Sequence, residues 1–149
     1  MKAANDANIY TIARETAGVT LARWAEMLGV AEETVRRYEA GTMMPADDIV
    51  LRMADLSGLQ ILGTWHLRLK SAVAADVLPE VQRLPLAQAV VQLLDAIDDF
   101  TEKHHARTLI SIAADGRVCP EEQGEFDRVV RDLQPLIRAA LQIDFADKG

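Results

Sequence analysis

The sequence predicts an all-α chain in two helical segments, and three observations carry that prediction. Apolar residues recur at three- and four-residue spacing, the alternation of a half-buried strand is absent, and glycines and prolines stand where helices would start and stop. The 149 residues are 50% hydrophobic and 5% aromatic, enough for one compact domain or two small ones with a core to bury.

The elements follow in order. Gly18 closes a first helix, and Thr20 stands where its hydroxyl accepts from the free N–H groups of a second. Gly29 supplies the positive φ of a tight turn, and a third helix follows at about residues 31–40. Trp24, Leu28, Val30, Val35 and Tyr38 give the inner faces apolar contacts, and Ala25 is small where two helices must cross closely. That arrangement is a helix-turn-helix. Two more short helices bring the first segment to five, ending near Lys70, and residues 71–85, with Pro79 and Pro85, read as a connector.

The second segment, 86–149, is expected to hold two to four helices. Pro85 reads as a first helical residue, followed by Leu86, Val90, Leu93, Ile97 and Phe100, a stripe at alternating 4,3 spacing that predicts a buried face. The stripe loses phase after Phe100, which predicts a bend between Thr101 and His104. Asp115-Gly116 ends the next helix, and Pro120 starts another through Phe126, Val129, Val130 and Leu133. Pro135 lacks a donor and clashes with the turn before it, so a kink or restart is expected ahead of Leu136, Ile137, Ala140 and Leu141.

The net charge of −7 argues against a generic nucleic-acid coat, but the acid is unevenly placed. Residues 1–70 carry 8 Lys+Arg against 9 Asp+Glu, whereas 71–149 carry 8 against 14. No run of 18 apolar residues appears, and MKAANDANIY lacks the apolar stretch of a signal peptide, so a cytoplasmic protein with no membrane role is expected. The single cysteine, Cys119, fits a reducing compartment.

From Val19 to Gly41 the residues are VTLARWAEMLGVAEETVRRYEAG. With Thr20, Ala25, Gly29-Val30, the apolar Val35, the ending Tyr38-Glu39-x-Gly41 and Pro45 opening the next helix, the chain resembles the Cro-like, Xre-type family of bacterial and phage DNA-binding proteins over roughly residues 8 to 69. The resemblance implies a five-helix, lambda-repressor-like DNA-binding domain at 1–70, whose recognition helix lies in the major groove. Carried over by position, it puts Ala31, Glu32, Glu33, Arg36 and Arg37 on the DNA-facing side, with Thr20, and with Thr42 and Met43 in the loop that passes a phosphate strand. It also implies a structural ion pair between Arg14 and Glu39.

Chemically, Arg36 and Arg37 suit bidentate bonds to guanine or phosphate. Glu32 and Glu33 have two open roles: accepting from cytosine N4, or supporting the helix start through its macrodipole, worth about 0.3–1 kcal/mol. Three departures from the family pattern predict weak or strongly salt-sensitive binding: Leu21 replaces a backbone-anchoring glutamine, Ala31 replaces a capping Ser or Thr, and TMMP offers no cation.

Other constellations carry less. His104 and His105 lie near Glu102 and Asp98, but adjacent helical residues point about 100° apart, so a solvated or dimer-facing surface is expected instead of a metal site. His66, beside Trp65, reads as packing of the fifth helix. DGRVCPEE, Asp115 to Glu122, echoes half a calcium loop, yet Ser111 and Ala113 stand where carboxylates are needed. It reads as a corner in which Val118 tucks inward and Glu122 reaches back to cap, and it resembles a corner in small Xre-type regulators with helical C-terminal extensions. Cys119 precedes Pro120 near a helix start that would lower its pKa, but it has no partner cysteine for redox sensing. No nucleophile–base–acid set or phosphate-cradling glycine loop is apparent, so neither catalysis, cofactor nor metal is expected.

These observations predict a sequence-specific transcriptional regulator that binds double-stranded DNA as a homodimer. The stripe from Leu86 to Phe100 and the pair Phe126/Val130 are candidates for the dimer interface, or alternatively for an intrachain core. The rival reading is a helix-turn-helix scaffold that has lost DNA binding and contacts a protein, in the manner of an antirepressor target.

Overall fold

The computed structural model describes residues 8–149. Those residues form nine helices and no strand, in two compact units that divide between Glu80 and Val81.

The first unit is built on local chemistry. Asn8 Oδ1 accepts from Tyr10 N at 2.9 Å and starts α1 (Ile9–Ala17). Thr20 Oγ1 accepts from Arg23 N at 3.3 Å and starts α2 (Leu21–Leu28). Gly29 then adopts φ 71°, a left-handed conformation that costs a residue with a Cβ, and its N–H closes onto the last turn of α2. After it come α3 (Glu32–Glu39), α4 (Asp47–Ser57) and α5 (Leu62–Lys70). α1 packs on α3, α4 and α5, while α2 packs on α3 and α4. Trp24, Leu28, Val35, Met53, Leu59 and Leu62 are fully buried between them, each worth about 1.5–3 kcal/mol of burial, more for the tryptophan. Trp24 Nε1 is buried without a hydrogen-bond partner, a cost of about 1–3 kcal/mol that the area of the ring outweighs.

Two local expectations shift. Pro45 does not open the fourth helix; it is buried ahead of Ala46, the N-cap of α4. Within 71–85, read from sequence as a connector, Ser71 Oγ accepts from Ala74 N at 3.2 Å and starts a six-residue α6 (Ala72–Val77). Arg68 holds α6 against α5 by donating to Ala75 O at 2.9 Å and to Leu78 O. Pro79 does its work at the far end, keeping Leu78 extended at ψ 133° and so stopping the helix.

The second unit consists of α7 (Leu86–Glu102), α8 (His105–Ala113) and α9 (Gln123–Asp144), each packed on the other two. Pro85 is the N-cap of α7, not its first residue. The bend falls at His104, a non-glycine residue in the left-handed region at φ 56°. α9 starts at Gln123, later than Pro120, because Cys119 and Glu122 close a turn first: Cys119 O accepts from Glu122 N at 3.0 Å, and Glu122 Oε2 accepts from Cys119 N at 3.1 Å. α9 does not restart at Pro135 but continues through it. The lost N–H and ring clash cost about 3 kcal/mol, and the packing of both halves of α9 against α7 and α8 outweighs it.

The stripe predicted as buried is only partly so. Leu93 and Phe100 are half-buried, but Leu86, Val90 and Ile97 are 43%, 36% and 42% exposed. The fully buried α7 residue is Ala89, and α9 buries Val129, Ala139 and Gln142. Small residues at the contact leave the larger apolar side chains flanking it. Gln142 is satisfied inside, accepting from Gln82 N at 3.2 Å and donating to Gln92 Oε1 at 2.7 Å. The last residues pair with the segment before α7, Asp147 N donating to Leu84 O at 2.9 Å and Leu86 N to Asp147 O at 3.1 Å.

Candidate nucleic-acid interface

α3 buries Val35 and Tyr38 and leaves Glu32, Glu33, Arg36 and Arg37 exposed. This division follows from the 3.6-residue period, because Val35 and Tyr38, three apart, share a face that the other four do not. Ala31 caps with no side-chain bond, and the two glutamates fill the first turn, where the helix dipole favours acid.

The exposed side chains are not independent. Arg36 Nη2 lies 3.3 Å from Glu32 Oε2, and Arg37 Nε lies 3.5 Å from Glu33 Oε1. In α2, Arg23 Nη1 lies 2.6 Å from Glu26 Oε2. The loop after α3 adds no cation: Thr42 Oγ1 donates to Arg37 O at 3.3 Å, and Met43 and Met44 are 44% and 47% exposed. Thr20 is exposed, its oxygen engaged in the α2 cap.

A set of interior contacts fixes the presentation of α3. Arg14 Nε donates to Glu39 Oε1 at 2.6 Å and Nη2 donates to Oε2 at 3.1 Å, while Nη1 donates to Val19 O at 3.2 Å. The structure therefore brings Arg14 and Glu39 together in a bidentate pair, only 19% and 13% exposed, that ties α1 to the end of α3. The carboxylate raises the Arg14 pKa further above its already high value.

Sequence reasoning missed two supports. Arg52 Nη1 donates to Leu28 O at 3.1 Å, satisfying the C-terminus of α2 beside the Gly29 turn. Buried His66 joins three helices: Tyr10 OH lies 2.8 Å from its Nδ1 and Asp47 Oδ1 lies 3.0 Å from its Nε2. Lys70 reaches the same Asp47 oxygen at 2.6 Å, and Lys70 and His66 together hold the Asp47 carboxyl below the ordinary carboxylate range. Arg52 and Asp47 carried no local signal, since their partners lie 24 and 19 residues away.

Two expectations for the second unit are corrected. His105 is not on a solvated or dimer-facing surface; it is buried, with Nε2 2.8 Å from Asp132 Oδ2 and its ring edge-on to Phe100 at 5.2 Å. The left-handed turn at His104 rotates the two histidines apart and directs His105 onto α9. The Cys119 thiol is pushed up, not down, because Glu122 and Glu121 oppose a thiolate beside them. Among the described residues no group of three His, Cys, Asp or Glu side chains could hold a metal ion, and no helix is long and apolar enough to cross a membrane.

The helix-turn-helix family model matches residues 12–61, which run from within α1 through α4 to Ile61, the residue before α5. No curated protein and no solved structure matches the chain.

Proposed function

We propose that this chain, whose residues 12–61 are a DNA-binding helix-turn-helix domain of the Cro-like, Xre type with further helices after it, is a sequence-specific transcriptional regulator acting in the cytoplasm. Residues Glu32–Glu39 lie in the major groove, Arg36 and Arg37 bond guanine or phosphate, and Glu32 and Glu33 face the bases beside them. Thr20 and Thr42 flank the phosphate strands. The observation that supports this best is the exposure of both adjacent arginines on α3, on the side opposite the buried Val35 and Tyr38. No catalytic step or cofactor enters the proposal.

The regulator acts as a homodimer through residues 86–149, since one recognition helix reads only a few base pairs and useful affinity needs two half-sites. Leu86, Val90, Leu94 and Ile97, at spacings of 4, 4 and 3 on α7, are 43%, 36%, 54% and 42% exposed, and Val130 and Ile137, seven apart on α9, are 39% and 45% exposed. Contiguous apolar surface of this kind marks an interaction site. Ile97→Glu should convert the dimer to a monomer in light scattering, and a wild-type chain that is monomeric at all accessible concentrations removes the dimer from the proposal.

A second reading has its own support. Both α3 arginines already have carboxylate partners, which suits a scaffold that contacts a protein and no longer binds DNA. Titrating salt against binding to duplex DNA separates the two. The regulator reading fails if no binding appears at low ionic strength, or if Arg36→Ala with Arg37→Ala leaves binding unchanged.

A further inference from the structure

Every cation in α2 and α3 has a carboxylate on its own helix: Arg23 has Glu26 at 2.6 Å, Arg36 has Glu32 at 3.3 Å and Arg37 has Glu33 at 3.5 Å. The loop from Gly41 to Pro45 contributes no further charge. We propose that Glu32 and Glu33 are a specificity filter, internal counter-ions that keep Arg36 and Arg37 from binding random duplex and that are compensated only at half-sites presenting guanine and cytosine edges together. The inference rests on the reading of α3 as the helix that enters the groove.

Binding to random DNA is driven by cations that neutralise phosphates and release the counter-ions condensed there. An arginine that already has a carboxylate partner releases little, and it brings a negative charge towards the phosphates. The two α3 pairs run parallel on the exposed face, each glutamate one turn N-terminal to its arginine, the stabilising order for such pairs. Their side chains are 48–64% exposed, so each clasp is weak and opens when something better is offered.

A guanine–cytosine edge is better for both partners. Guanine O6 and N7 accept from the arginine fork, and the cytosine N4 amino group donates to the released carboxylate. A phosphate satisfies the arginine alone and repels the acid. Adenine–thymine steps can bond the acid through adenine N6 but offer the arginine only a single acceptor per base. The filter therefore selects half-sites rich in G·C at the positions under Glu32–Arg36 and Glu33–Arg37. The Arg23–Glu26 pair sits on α2, which crosses the backbone in this motif, and so modulates affinity without selecting sequence.

The test compares the full chain with its Glu32→Gln/Glu33→Gln and Glu26→Gln variants on two duplexes, one selected by the wild-type chain from a random pool and one scrambled. Removing the two α3 acids should tighten binding to scrambled duplex about tenfold at low salt and steepen its salt dependence by about one to two counter-ions. Binding to the selected duplex should stay level or weaken, so the preference falls at least tenfold. Glu26→Gln should tighten both duplexes alike. The filter is overturned if the α3 variant keeps the wild-type preference within about twofold, if Glu26→Gln erodes preference as much, or if the selected half-sites lack G·C pairs. If neither wild type nor variant binds either duplex, the DNA reading itself falls, and the filter with it.

Discussion

Arg14→Met tests the contact that seats α3. The arginine makes three donated bonds, two to Glu39 at 2.6 and 3.1 Å and one to Val19 O at 3.2 Å. Hydrogen bonds to charged groups contribute about 1.5–3 kcal/mol each, and stripping one member from a buried pair costs about 3–5 kcal/mol. Here the partners retain 19% and 13% exposure, so some of the Glu39 charge is recovered by water, and roughly 2–4 kcal/mol is expected for Arg14→Met. Glu39→Gln keeps an acceptor for one arginine N–H and should cost about 1–2 kcal/mol. The double variant should recover about 1–2 kcal/mol of coupling.

Urea unfolding followed by tryptophan fluorescence isolates this effect. Both tryptophans of the chain, Trp24 and Trp65, lie in the first unit, so the signal reports that unit alone. Arg14→Met should lower the midpoint by roughly 1 M or more with the slope unchanged, and lower the melting temperature by roughly 10–20 °C. A coupling energy under about 0.5 kcal/mol would place the pair among ordinary surface salt bridges and refute the claim that it holds α3 in place.

Three other outcomes follow from the same structure. Gly29→Ala would place a Cβ 3.7 Å from Arg52 Nη1, an ordinary contact, so its cost is the left-handed backbone alone, about 1–2 kcal/mol by the same fluorescence assay; a neutral result contradicts the φ 71° turn. His105 and Lys103 hold the Asp132 carboxyl below the ordinary carboxylate range, so its stabilisation is complete above pH about 4 and lost as pH falls through the lower folded value. Asp132→Asn should therefore destabilise the second unit at pH 7 and have progressively less effect below pH 4, read from helical circular dichroism; an equal effect at both ends refutes the ion-pair account. Pro135→Ala returns a donor to Arg131 O within α9 and should stabilise the second unit by about 1–2 kcal/mol, a gain that thermal melting would show and a lowered midpoint would contradict.

The helix boundaries of the helix-turn-helix, specified by short-range chemistry, were legible in the sequence, and contacts specified by distant partners were not. Gly18, Thr20 and Gly29 delimit α1 to α3 through bonds that span at most five residues, which a residue pattern can carry. The Arg14–Glu39 pair spans 25 residues and came only through the family resemblance, because nothing in its spacing announces it. The passage of α9 through Pro135 and the burial of His105 on Asp132 both depend on which helix lies opposite. The α7 stripe makes the same point from the other side: periodicity shows that a helix has an apolar face, but Leu86 and Ile97 remain exposed because nothing in the pattern says what covers them. On α3 the difficulty was different. Glu32 and Arg36, like Glu33 and Arg37, stand four apart, a spacing that was visible throughout. Taken one at a time they are two acids and two bases competing over whether the helix approaches DNA; taken as pairs 3.3 and 3.5 Å apart they make a neutral face, and it is this pairing on which the proposed preference between base edges over phosphate rests.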